Sequence, residues 1–291
     1  MFKSPVRSKH KLTEGRSASY MQRIGCHVSI AGGVQNAPGR AAELGCEVFQ
    51  MFSRSPQGGP APKLTAQVVA EFKNNMKEHN QKAAYIHTPY YINFASDKES
   101  LRKNSVRIVR EELERASLLG VNAIMTHLGS AGPGGDEKAA LARSAQSVKE
   151  ILKGYTGSAE LLLEISAGAG AVIGDRLEEV AEIMEVSGAT GVCVDSCHAF
   201  ASGYDFRTSK TMEEFKKVIK DTVGFKSIKL IHANDSKVDL GERRDRHEHI
   251  GEGKIGKEGF VQLMKEFDID FILETEHDKV VEDIKILKSI R

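Results

Sequence analysis

The sequence predicts an α/β protein, a single (β/α)8 TIM barrel over residues 21–291, and three observations carry that expectation. Short apolar, strand-like runs alternate with amphipathic helical stretches eight times between residues 23 and 291. That span is close to the roughly 250 residues usual for such a barrel. The strand-like runs end on His, Asp and Glu, and barrels of this kind assemble their chemistry at the C-terminal ends of their strands.

Residues 1–20 are polar and carry Lys3, Arg7, Lys9, Lys11 and Arg16 with almost no apolar periodicity. They read as a disordered extension ahead of Met21, or as a basic arm that touches phosphate. From Arg23 the alternation begins. Strands are expected at 23–29, 47–52, 83–87, 122–127 and 160–165, and helices at 34–44, 65–79, 97–119, 137–153 and 176–185. Gly45, Gly120 and Gly188 stand where three of these helices stop, as C-terminal glycines do. The helix at 97–119 places Leu101, Ile108, Leu113 and Ala116 at helical spacing. The continuous apolar run opening at Gly191 and ending on Asp195 suits a central parallel strand, buried on both faces. A helix at 212–223, a strand at 227–233, a loop of about twenty residues, a helix at 257–266, a strand at 270–274 and a helix at 279–290 complete the chain. An open doubly wound sheet is the main alternative. It is disfavoured because Ala31-Gly32-Gly33 lacks the third glycine and the matched acid of a dinucleotide fingerprint, and a closed barrel leaves no exposed edge.

Bulk composition is that of an ordinary globular protein, 40% hydrophobic and 28% charged. With a net charge of +1, no overall basic field announces a nucleic acid, so a DNA enzyme would need its cations gathered on one face. Cys26, Cys46, Cys193 and Cys197 lie in apolar runs, which favours reduced, buried thiols. No run approaches the ~18–20 apolar residues of a membrane span and no signal peptide is visible. The expectation is a cytoplasmic protein, nucleoid-associated in a prokaryote.

The strand ends carry the functional signal. His87 follows the third strand, His127 the fourth and Glu164 ends the fifth; Asp195 and His198 come at the sixth, His232 at the seventh, Glu274 at the eighth. Asp245 and His247, two residues apart, sit in the long seventh loop. A lone strand-end histidine is usually structural. Nine such groups on one rim call for metal. Imidazole with carboxylate suits zinc, manganese or iron. A catalytic zinc takes about three protein ligands, so nine candidates imply more than one ion. Two or three clustered cations are the arrangement that clamps the attacking and leaving oxygens of a phosphodiester. By strand alternation Cys193 and Cys197 share a face with Asp195, and with harder ligands at hand they read as packing residues.

These residues fall in motifs that strongly resemble the endonuclease IV family of abasic-site DNA repair enzymes. The motifs include Gly25-Cys26-His27-Val28-Ser29, His87-Thr88-Pro89-Tyr90, Thr126-His127-Leu128-Gly129-Ser130, Leu163-Glu164-Ile165-Ser166, Val194-Asp195-Ser196-Cys197-His198, His232-Ala233-Asn234-Asp235, Asp245-Arg246-His247, Gly251-Glu252-Gly253 and Leu273-Glu274-Thr275. The resemblance covers residues 22–291. It implies a hydrolase with three zinc ions, with manganese or iron as options at some sites. One ion would be held by His87, His127 and Glu164. A second would be held by Glu164 as a bridge with Asp195, His232 and Glu274, and a third by His198, Asp245 and His247. Glu274 and Glu164 would be the catalytic carboxylates. The substrate would be double-stranded DNA with abasic sites, cut 5′ to the lesion to leave a 3′-hydroxyl and a 5′-deoxyribose phosphate, with 3′-end cleaning as a possible second activity. The enzyme would act as a monomer.

Two departures from the family pattern stand out. Gln57 and Gly59 occupy the positions of an Arg and a Trp in the second-strand loop that helps to open DNA, and the chain has no Trp. Tyr90 is then the candidate wedge, with Arg54 and Gln57 as further DNA contacts. Ile165 stands where an Asn is common, so Glu164 needs another orienting partner. The rival reading is a xylose-isomerase-like sugar isomerase or epimerase on the same barrel. It would need only Glu164, Asp195, His232 and Glu274.

Overall fold

The computed structural model describes residues 21–291, so the polar stretch 1–20 lies outside the described residues. Among the described residues eight parallel strands close into a barrel: β1 (Ile24–His27), β2 (Val48–Met51), β3 (Ala84–His87), β4 (Ala123–Thr126), β5 (Glu160–Glu164), β6 (Gly191–Asp195), β7 (Ile228–His232) and β8 (Asp270–Leu273). Each pairs with its sequence neighbours, and β1 closes the ring against β8 through Ile24–Phe271 and Cys26–Leu273. At Gly25 the first two strands approach so closely that a Cβ would overlap the Val48 carbonyl oxygen. Glycine is required there on steric grounds.

Helices α1 (Ala37–Glu43), α2 (Ala66–Glu78), α3 (Glu99–Leu119), α4 (Glu137–Leu152), α5 (Leu177–Ser187), α6 (Ser196–Ala201), α7 (Ser209–Asp221), α8 (Gly256–Glu266) and α9 (Val280–Ile290) follow the strands. Their limits follow local chemistry. Thr65 caps α2 by accepting from the Val68 N–H, Asp136 caps α4 through Ala139, and Thr208 with Thr211 forms a reciprocal cap on α7. The first predicted helix is shorter than its pattern: Val34–Asn36 is a 3-10 turn and the α-helix begins at Ala37, with Pro38 in the first turn where a missing N–H costs nothing. No helix among the described residues is long and apolar enough to cross a membrane.

One difference bears on the site. The residues after β6 form a six-residue helix, α6, where the sequence pattern suggests only a loop. Asp195 ends the strand and caps this helix, accepting the His198 N–H at 2.8 Å. Cys197 therefore sits on a helix, and only Cys193 shares Asp195's strand face. The expected loop after β7 also contains a short antiparallel ribbon, Asp235–Ser236 against His247–Glu248.

Two packing layers explain why the rim is polar. A large core of apolar side chains lies between strands and helices. Inside the barrel, Val48, Tyr85, Met125, Leu162, Cys193, Leu230 and Ile272 form a separate plug. Side chains alternate along a strand, so the residue two positions on faces the same interior, one layer nearer the C-terminal rim. Those residues are Gln50, His87, His127, Glu164, Asp195, His232 and Glu274; from β1 the equivalent of Gly25 plus two is His27. Every strand thus contributes one polar side chain to a single layer.

Candidate metal centre

The layer converges on Glu164, which is 1% exposed. His87 Nε2 lies 3.0 Å from its Oε2 and His232 Nδ1 2.9 Å from its Oε1. His127 Nε2 stands 3.6 Å from Oε2. Asp195 and Glu274 flank His232 Nδ1 at 3.9 and 3.3 Å. Beyond this inner set, His198 Nε2 is 3.3 Å and His247 Nε2 3.2 Å from the two oxygens of Asp245. The ligand-type atoms of His87, His127 and Glu164 lie within 4.8 Å of one another, as do those of Glu164, Asp195, His232 and Glu274, and those of His198, Asp245 and His247. All nine sequence-predicted residues are brought together on one rim, where with Cys193 and Cys197 they form five overlapping groups close enough to share an ion.

The donor set fits metal on an independent observation. The Nε2 atoms of His198 and His247 are buried and face the Asp245 carboxylate without forming a well-aligned hydrogen bond, a state that costs free energy unless something else satisfies them. Three further ring nitrogens are committed to the protein. His198 Nδ1–H donates to the Ile165 carbonyl at 3.0 Å, His87 Nδ1–H to the Thr88 carbonyl at 2.7 Å, and His232 Nε2–H to Gln50 Oε1 at 2.7 Å. Each bond fixes ring orientation and turns the opposite nitrogen toward the cluster, the arrangement usual for metal-bound imidazoles. The Ile165 side chain cannot orient Glu164, but the Ile165 main chain orients His198.

Within the rim, carboxylates and imidazoles shift one another strongly. Burial acts to raise the Glu164 carboxyl, yet His127, His232 and His87 outweigh it and hold it well below the usual carboxylate range. Glu274 is pulled down to about 2 against the same burial effect, chiefly by His232 and His87. Both remain ionised at neutral pH. Burial opposes the charged form of His198, but Asp195 and Asp245 push it up to about 10. Burial is the largest influence on His27 and drives it down to about 4, so it is neutral. Burial also pushes the Cys193 and Cys197 thiols up to about 12. They come within 4.8 Å of Glu164 and His232, and of Asp195 and His247, respectively.

Chain comparisons match this geometry. Residues 38–290 match the family described as a xylose isomerase-like TIM barrel. A probable endonuclease 4 of Aquifex aeolicus (strain VF5) is 41% identical over 249 residues, 84% of this chain and 88% of its own. Its namesake in Cenarchaeum symbiosum (strain A) is 36% identical over 283 residues, 92% and 98% of the two chains. The crystal structure of endonuclease IV from Thermus thermophilus superposes with a TM-score of 0.81 at 31% identity, covering 92% of this chain and 98% of that one. The chain belongs to the endonuclease IV family. It is a hydrolase of the nuclease type. A D-tagatose 3-epimerase-like protein, at 21% identity and a TM-score of 0.72, shares the fold alone.

Around this endonuclease IV centre the rim residues divide. Tyr90 is 69% exposed at the mouth of the cleft, its ring edge-on to Phe52 at 5.3 Å between centroids. Gln57 is exposed on the loop after β2. Arg54 departs from the expectation of a DNA contact. It is 3% exposed, donates to Glu112 and pairs with Glu111 at 3.0 Å. Its charge is spent fastening the β2 loop to α3, because a buried guanidinium is stable only when paired.

Three further residues of the candidate site were not among the sequence expectations. Gln50 accepts from His232 and donates to Glu274 Oε1, with His27 Nδ1 3.0 Å from its amide nitrogen. Asn234 donates to Asp195 Oδ2 at 2.6 Å and accepts the Glu274 N–H at 2.8 Å, so it ties β6 to β8. His27 completes the ring from β1. The alternation that places Glu164 two positions beyond Leu162 would have found Gln50 and His27. Asn234 carried only its place in a motif.

Proposed function

We propose that this endonuclease IV family member incises double-stranded DNA on the 5′ side of abasic sites, as a repair enzyme, with three zinc ions held by the nine rim residues. The observation that carries the reading is the outer trio of His198, Asp245 and His247, set beside a complete inner set. A sugar isomerase or epimerase has no use for it. The ions would be held by His87, His127 and Glu164; by Glu164, Asp195, His232 and Glu274; and by His198, Asp245 and His247. Bound there, they would supply an acidified water and neutralise the charge that develops on the phosphate.

The chain's own residues do the rest. Glu164 faces His87 with one oxygen and His232 with the other, which suits it to bridge. Glu274 is anchored at Oε1 by Gln50, its Oε2 lies 3.3 Å from His232 Nδ1, and from the cleft wall it would orient the attacking water. A cleft of about 360 Å³ between Tyr90, His127, Asp245 and Glu274 receives the flipped sugar-phosphate. Flipping costs least where no base pair must be broken, and this favours the lesion. Tyr90 stacks on the bases left behind. The products are a 3′-hydroxyl and a 5′-deoxyribose phosphate. The same site would remove blocking groups from DNA 3′ ends.

The test is a duplex with one tetrahydrofuran residue, incubated with zinc-loaded protein in the absence of magnesium. A single nick 5′ to the analogue, from protein holding close to three zinc ions per chain, is expected. An intact duplex with ketose–aldose interconversion would contradict the proposal.

A further inference from the structure

Asp283 has no place in the ligand sets, yet it touches the supports of both. It lies in the first turn of α9, 1% exposed. Its Oδ1 accepts the Ile250 N–H at 2.9 Å. Its Oδ2 accepts the His249 Nδ1–H and the Thr275 O–H, both at 2.7 Å. Thr275 follows Glu274 directly, and His249 and Ile250 follow His247 by two and three residues. One carboxylate therefore takes three donors, from the segment after β8 and from the segment after the β7-loop ribbon.

We propose that Asp283 is a positioning residue that yokes Glu274 of the inner group to His247 of the outer group, and so sets the spacing between the ions they hold. The proposal rests on reading the rim as a metal centre. First, a buried carboxylate is costly unless fully hydrogen-bonded, and an apolar residue would pack inside α9 at less expense. The hydrogen bonds of this carboxylate go to the two loops. Second, the outer residues lack strand-end support. Asp245 has a 54% exposed side chain, and His247 is fixed through the two-residue pairing with Ser236 and the bonds that hold His249 and Ile250. Third, Glu274 is bonded at its N–H by Asn234, and its next residue is gripped by Asp283. Removing Asp283 frees both segments in one step.

The experiment is zinc stoichiometry and release on the full chain, with a colorimetric chelator as competitor. Asp283→Ala is expected to keep the circular dichroism of the barrel, to retain close to two zinc ions, and to release the loosest ion about 10–100-fold faster than wild type. Thr275→Val, which removes one donor, should accelerate release by a smaller factor and serves as the readout if Asp283→Ala does not fold. Asp283→Asn keeps an acceptor oxygen and should recover most of the zinc. A purely structural role would lower the melting temperature of Asp283→Ala while leaving the zinc count and release rates at wild-type values, and that result would overturn the proposal alone. Wild-type protein with fewer than three zinc ions would overturn the metal-centre reading and this proposal with it.

Discussion

Glu164, Asp195, His232 and Glu274 stand on or directly after the ends of four barrel strands, whereas His198 stands on a six-residue helix and Asp245 and His247 in a long loop. Those four side chains are 1%, 0%, 0% and 17% exposed, and His87 and His127 of the same inner half 4% and 34%, whereas the outer ones are 4%, 54% and 21%. Strand register and alternation set the inner geometry, and packed neighbours on every side preserve it. The outer geometry depends on a cap, a two-residue ribbon and a few hydrogen bonds. The outer set is what the proposed phosphodiester chemistry adds, and it rests on fewer supports.

That contrast can be broken in order of severity. Glu164→Ala removes the carboxylate shared by two of the three groups. Abasic-site incision should fall on the order of 10⁴-fold or more, with at least two ions lost, as measured by gel-based nicking and elemental analysis. His247→Ala should spare the inner ions and the fold, lowering incision by about 10²–10³-fold. A zinc count near two with an unchanged far-ultraviolet spectrum would mark the outer loss. Unchanged turnover would show that the outer group is dispensable. Gln50→Leu tests the inner support: incision and inner-ion affinity should fall about 10–100-fold, while the outer ion exchanges as before in chelator competition.

Two smaller effects separate the rim from the cluster. Tyr90→Ala should raise KM for an abasic duplex about tenfold through lost stacking, with zinc content and melting temperature unchanged. Arg54→Ala should do the reverse. It leaves the Glu112 carboxylate without its closest cation and costs about 3 kcal/mol of stability, with little change in KM or its salt dependence. A large KM effect for Arg54→Ala would return it to the DNA surface.

The strand-end residues were legible in the sequence because the same alternation that buries Leu162 and Cys193 delivers Glu164 and Asp195 to the rim. His198, Asp245 and His247 were legible only as members of motifs, since helix and loop carry no period that would aim them at one point. Gln50 was hidden because a polar residue inside an apolar strand run reads as part of the strand. The burial of Arg54 was not legible, because its partners Glu111 and Glu112 stand 57 and 58 residues away and meet it only once α3 packs beside the β2 loop. The Asp283 contacts were hidden for the same reason, drawn from two loops and a helix that meet only in the closed barrel.

On the proposed reading, one rim holds three ions in two halves of unequal firmness. The most direct test is stepwise chelation of the zinc-loaded wild-type protein, with zinc release and abasic-site incision followed on the same sample. Two phases are expected, one ion leaving first and taking incision with it while the barrel spectrum stays intact, then two ions leaving more slowly. A single phase, or full incision after the first ion has gone, would contradict it.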